Sequence, residues 1–136
     1  MWVTNSLDRT VTEIHPRSNR VSADVAVGSS PTGIATGFGA IWTANSDDDT
    51  VSRIDSATAN AAETIAVGRE PRGVAVGEGS VWVANYLDDT ISRIDPTGGQ
   101  VTETIRVGSG PIGIAVDYGA VWVATSDDRA LFRIDP

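Results

Sequence analysis

The side chains able to do chemistry in this sequence are mostly carboxylates in short runs: Asp47-Asp48-Asp49, Asp88-Asp89 and Asp127-Asp128. Clustered carboxylates can hold a hard cation such as Ca²⁺, which takes several carboxylate and carbonyl oxygens. These runs lack EF-hand spacing, with its central Gly and terminal Glu. Turn formation explains them more simply, because Asp and Asn hydrogen-bond their own backbone. Arg69, Glu70 and Arg72 form a second group, set in a segment that elsewhere reads Ser29-Ser30-Pro31-Thr32 and Ser109-Gly110-Pro111-Ile112. Arginine suits a carboxylate or phosphate partner, and ion pairing with the nearby Asp turns is the plainer expectation. Tyr86, beside Leu87, is a candidate contact residue. The single His, His15, has no nucleophile elbow to serve, so a serine hydrolase is not indicated. Absence of Cys excludes disulfides, Cys-ligated zinc, iron–sulfur clusters and thiol chemistry. No catalytic residue, metal site or cofactor is assigned.

The elements that carry these groups follow from a repeat. Trp2, Trp42, Trp82 and Trp122 are spaced by 40 residues, within WVTN, WTAN, WVAN and WVAT. Arg53-Ile54-Asp55, Arg93-Ile94-Asp95 and Arg133-Ile134-Asp135 keep the same period. So do Pro31, Pro71 and Pro111, each followed by Gly33, Gly73 or Gly113. Within one repeat, residues 73–76 form an apolar run and 80–85 a run rich in β-branched and aromatic residues. Residues 90–95 and 101–107 alternate apolar and polar. These are four strand positions, A to D. The first two read as strands covered on both faces, the last two as half-buried. No window has sustained helical period; residues 56–62 have helix propensity but align with the turn at Pro96–Gln100. A period near 40 with four short strands predicts an all-β propeller blade.

The order BCD, ABCD, ABCD, ABC predicts an all-β partial β-propeller ring of three to four four-stranded antiparallel blades. Its segments are an incomplete blade at 1–27, blades at 28–67 and 68–107, and an incomplete blade at 108–136. Repeated Trp in mid-strand is expected to pack between blades rather than to stack on a ligand. The Arg-Ile-Asp triplets are expected to belong to the blade, with Asp capping the C–D turn. The Gly37-Phe38-Gly39 and Gly77-Glu78-Gly79 segments read as hairpin turns, since no helix follows.

The strings at 81–96 and 107–116 resemble the YVTN-type β-propeller repeat, related to virginiamycin B lyase-like and NHL-like propellers. The resemblance covers nearly the whole chain. It implies a fold shared by lyases, lactonases, cell-surface proteins and interaction modules. Lyase-like members imply a His base with acidic metal ligands at the channel mouth. His15 falls instead where other repeats carry Asp55, Asp95 and Asp135, so that activity is not carried over.

The expected function is a non-catalytic binding module for a protein, peptide or glycan. The alternative is a fragment of a streptogramin lyase-like or gluconolactonase-like enzyme whose catalytic residues lie in other blades. The expected partner surface is the B–C turns and D–A connections at one end: Asp47, Asp48, Arg69, Glu70, Arg72, Tyr86, Asp88 and Asp127. A formal net charge of −8 without a basic patch argues against nucleic acid. The sequence has no apolar run of membrane-spanning length, so no membrane insertion is expected. No signal peptide is visible, while the resemblance implies a secreted or envelope location. Open terminal blades are expected to make the isolated chain dimerise or aggregate.

Overall fold

The computed structural model describes residues 1–60 and 63–136. Among these, fourteen strands and no helix build four antiparallel sheets. The first sheet holds β1 (Trp2–Asn5), β2 (Thr10–His15) and β3 (Arg20–Ala26). The second holds β4 (Pro31–Gly37), β5 (Ala40–Asn45), β6 (Thr50–Asp55) and β7 (Glu63–Ala66). The third holds β8 (Pro71–Gly77), β9 (Ser80–Asn85), β10 (Thr90–Asp95) and β11 (Gln100–Arg106). The fourth holds β12 (Pro111–Asp117), β13 (Ala120–Thr125) and β14 (Ala130–Ile134). Each sheet is a meander, as the alternating patterns and Gly-rich turns require. This is the partial propeller predicted from the repeat. Residues 56–58 form a turn, as their alignment with 96–100 suggests; Ala61 and Ala62 lie outside the described residues.

The blades pack through two complementary faces. Trp42, Ala44 and Val51 of the second blade meet Val74, Val81, Val83 and Ile94 of the third in one cluster. Forty residues on, Trp82, Ala84 and Ile91 meet Val121 and Val123 of the fourth blade. Trp42 and Trp82 are fully buried, and each indole Nε1 donates to a glycine carbonyl, Gly37 or Gly77, at 3.2 and 3.1 Å. Arg53 and Arg93 lie over the same two rings at 5.4 and 5.1 Å from the centroids. Trp42 and Trp82 are therefore packing residues, and Arg53 and Arg93 of the triplets cover their rings. Ile54 and Ile94 are fully buried. Asp55 and Asp95 accept the N–H groups of their own turns, Ala57 and Thr58, Thr97 and Gly98. Those two N–H donors hold the Asp55 carboxyl below its ordinary value, Thr58 most strongly.

The A strands β4, β8 and β12 pack side by side. Their approach is close enough that a Cβ on Gly73 would sit 2.5 Å from the Ile112 carbonyl oxygen, and one on Gly33 would strike that of Arg72. The repeated Pro-x-Gly thus marks contact between neighbouring backbones. Gly73→Ala should destabilise the chain by about 1–3 kcal/mol, the usual cost of overpacking. Urea denaturation would show this as a lower midpoint at unchanged slope; an unchanged midpoint would refute the close approach.

Candidate functional site

Strand direction brings B–C turns and D–A connections together at one end, the mouth. Backbone bonds tie them: Ser46 N to Ser30 O, Tyr86 N to Glu70 O and Ser126 N to Gly110 O, at 3.1, 3.0 and 2.9 Å. In the second, third and fourth blades the middle Asp of the B–C turn closes the same junction. Asp48, Asp88 and Asp128 accept the backbone N–H of Ser29, Arg69 and Ser109 at 2.6, 2.8 and 2.5 Å. Asp47 accepts the Ser30 hydroxyl at 2.5 Å. Each of these carboxylates thus holds a loop donor through at least one oxygen. Among the described residues, no three acidic or histidine side chains gather as a metal site.

One sector of the mouth differs from the rest. Arg69 donates through Nε to Asp88 Oδ1 at 2.6 Å and through Nη2 to the Leu87 carbonyl at 3.2 Å. Glu70 Oε1 accepts Arg72 Nε at 3.0 Å and Arg72 Nη2 as well. The Arg72 guanidinium lies 3.7 Å from the centroid of the Tyr86 ring, a close cation–π stack. Tyr86 Oη reaches Asp127 Oδ1 at 3.5 Å, a long contact across to the fourth blade. Structure therefore joins Arg69 with Asp88, and Glu70, Arg72, Tyr86 and Asp127 in a second chain of contacts. Asp47 and Asp48 stand in the preceding turn and bond to Ser30 and Ser29 instead. His15 is exposed at the end of β2, away from this surface.

Two members of the Asp runs that were not placed on the expected partner surface also bond there. Asp49 Oδ1 accepts the Glu70 N–H at 2.8 Å, and Asp89 Oδ1 accepts the Gly110 N–H at 3.1 Å. Each bond crosses from one blade to the next. Both residues adopt left-handed φ, 56° and 57°, a conformation that short polar side chains tolerate best. The signal was present in the repeat, since the corresponding positions in the outer blades carry Arg9 and Arg129.

Arg69 sets the electrostatics of Asp88. Its backbone N–H lowers the Asp88 pKa most, its guanidinium next, below the ordinary 3.8. The pair is exposed, and its worth in stability is correspondingly small.

A YNCE-like β-propeller family model matches residues 36–135. Among solved structures, hydrazine synthase of Kuenenia stuttgartiensis aligns over 98% of this chain and 42% of its own, at 21% identity and a TM-score of 0.90. A catalytically inactive virginiamycin B lyase from Staphylococcus aureus with quinupristin aligns over 99% and 51%, at 17% identity and 0.80. A streptogramin B lyase aligns over 98% and 50%, at 16% identity and 0.79. The chain thus spans about half the length of the solved structures it matches. No curated protein matches the sequence.

A folded-state pKa below the unfolded value contributes stability that is present above the unfolded pKa and lost as pH falls through the folded one. The Asp88 contribution should therefore fade only below about pH 4. Carboxyl NMR should place its midpoint below 3.8. Arg69→Ala should raise that midpoint without restoring it fully, because the stronger donor is the backbone N–H that the variant keeps. Full restoration would contradict this ordering of causes. From the 40-residue period, the blade packing and the matched family model together, the chain belongs to the YNCE-like β-propeller family.

Proposed function

We propose that this chain is a non-catalytic binding module whose partner surface is the mouth sector built by the third repeat. The observation that supports this most directly is convergence. Arg69, Glu70, Arg72 and Tyr86 depart from the residues at the same positions of the other repeats. Glu70, Arg72 and Tyr86 meet in space, with Arg72 held between Glu70 and the Tyr86 ring, while Arg69 pairs with Asp88 beside them. Holding an Arg this way fixes its direction at small further cost on binding. The exposed Leu87 beside it adds an apolar contact, 51% accessible. A planar cation, an aromatic ring and an exposed aliphatic group suit a protein or peptide partner with a carboxylate and an apolar side chain.

The enzyme reading, a piece of a lyase-like or lactonase-like propeller completed by other blades, draws on the likeness to the virginiamycin B and streptogramin B lyases. That likeness is one of fold.

Selection from a random peptide library on the immobilised chain tests the binding reading. Peptides enriched on the wild type should lose binding by roughly tenfold or more with Arg72→Ala and Tyr86→Ala together, as truncation of interface anchors does. Enriched peptides that bind the variant equally well would place the surface elsewhere.

Self-association is also proposed, through the outward face of the fourth blade. Leu131 there is 65% exposed, while its counterparts Val51 and Ile91 are fully buried by a following blade. Light scattering at tens of micromolar should show a dimer or larger species, shifted toward monomer by Leu131→Lys. A stable wild-type monomer would overturn this.

A further inference from the structure

The blade junctions carry a second pattern, away from the stacked arginine. Between the first and second blades a cleft of about 510 Å³ is walled by Asp48, Thr50, Ser52 and Thr64 above Val27 and Gly28. Forty residues on, a cleft of about 460 Å³ is walled by Asp88, Thr90, Ser92 and Thr104 above Val67 and Gly68. Both volumes fall within the range of small-molecule sites, roughly 300–1,000 Å³.

Their hydrogen-bond capacity is only part used. Asn45 Nδ2 donates to Thr50 Oγ1 and Ser52 Oγ at 3.0 and 2.9 Å, and Asn85 does the same to Thr90 and Ser92. The hydroxyl oxygens are thereby acceptors, which leaves each O–H free to donate. Among the described residues no protein acceptor takes those protons, and the exposed Thr64 and Thr104 hydroxyls have no protein partner. The Asn45 and Asn85 Oδ1 atoms are buried without partners.

The fourth blade shows that the fold does not need this arrangement. Thr125, Ala130 and Phe132 stand where Asn85, Thr90 and Ser92 stand in the third. There the Phe132 ring comes within 2.5 Å of a Cβ position on Gly108, filling the space. Thr125 satisfies its hydroxyl locally on Ala130 O at 3.2 Å. In the first blade the equivalent Thr12 hydroxyl donates to Asp24 at 2.8 Å. Open, under-bonded clefts therefore occur where Asn, Thr and Ser occur together.

The two clefts differ in one respect. Asp48 keeps Oδ1 without a partner among the described residues, whereas Asp88 Oδ1 holds Arg69. A cationic ligand would favour the first cleft and reject the second. The features common to both are hydroxyl donors, an acidic edge and a small apolar floor. Hydroxyl donors match sugar oxygens, the carboxylate edge accepts a sugar hydroxyl, and the Val-Gly floor fits the C–H face of a pyranose ring. We propose that the two interblade clefts are equivalent binding sites for a neutral polyhydroxylated ligand, a single saccharide ring in each.

Amide NMR titrations of the whole chain with methyl glucoside, methyl galactoside and methyl mannoside provide the test. At least one glycoside should give saturable shifts at both Gly28 and Gly68. Grafting the fourth-blade residues onto the second (Asn45→Thr, Thr50→Ala, Ser52→Phe) should abolish the response at Gly28 and leave that at Gly68. Should the graft fail to fold, the exposed pair Thr64→Val and Thr104→Val decides, with affinity expected to drop about two- to tenfold, the range for one neutral hydrogen bond. No saturable shift with any glycoside, an unchanged response in a folded graft, or an undiminished affinity in the threonine pair would overturn the proposal.

Discussion

The contact on which everything else rests is the packing of one blade's Trp face on the next blade's branched aliphatic face. Trp42 and Trp82 reach zero exposure only because Val81, Val83 and their equivalents 40 residues on lie against them. A single blade has no interior, so neither face is buried until a neighbour arrives. This explains why the Trp recurs in every repeat. A large, flat ring sets the spacing between sheets, and its indole N–H must find an acceptor when buried. The carbonyls of Gly37 and Gly77 supply it, from the neighbouring strand of the same blade. The small residues Ala40 and Ala44 beside Trp42 leave it the room it needs.

That spacing positions the loops, and aspartates then lock them. Each middle Asp secures the D–A connection before its blade, as Asp88 does with Arg69. Asp49 and Asp89 reach instead to the connection that leads into the following blade. The surface so formed is acidic, yet its acids are acceptors for fixed N–H groups. Their repetition therefore reflects loop architecture. Departures from repetition carry more information, because nothing in the blade requires an Arg at position 72 or a Tyr at 86.

Most of the fold was legible in the sequence because the period averages three or four copies of each element. Strands β9 and β10 begin and end where the β-branched run and the alternating run do. Strand β8 is longer than its apolar run at 73–76, extending to Pro71 and Gly77. The extension passes through a register shift between Pro71 and Val74, and no periodicity rule sees pairing across an irregularity. The site was legible in composition but only partly in connection. Arg69 meeting Asp88 follows once the two loop sets are known to share an end. Asp49 meeting Glu70 does not, because that bond depends on how far one blade is rotated from the next. The clefts were hidden for the same reason, since Ser52 looks like a routine strand residue until Phe132 shows what else can fill its place.

The two loop edges of the blades are built differently. Away from the mouth, hydrogen bonds stay within a blade: Ser56 closes on Gly39, and Asp55 and Asp95 cap their own turns. The hairpin tips there place Phe38, Glu78 and Tyr118 at left-handed φ of 53°, 48° and 51°, where Asn or Gly would be more comfortable. Among the described residues no hydrogen bond ties one tip to its neighbour. At the mouth, bonds cross between blades: Ser6 to Pro31, Ser46 to Pro71, Asp49 to Glu70 and Asp89 to Gly110. Such cross-links fix the angle between adjacent sheets as well as the shape of each loop. A ligand that contacts two blades at once loses affinity for every degree of freedom it must first freeze. The mouth has already lost those freedoms in folding, which makes it the better organised of the two edges.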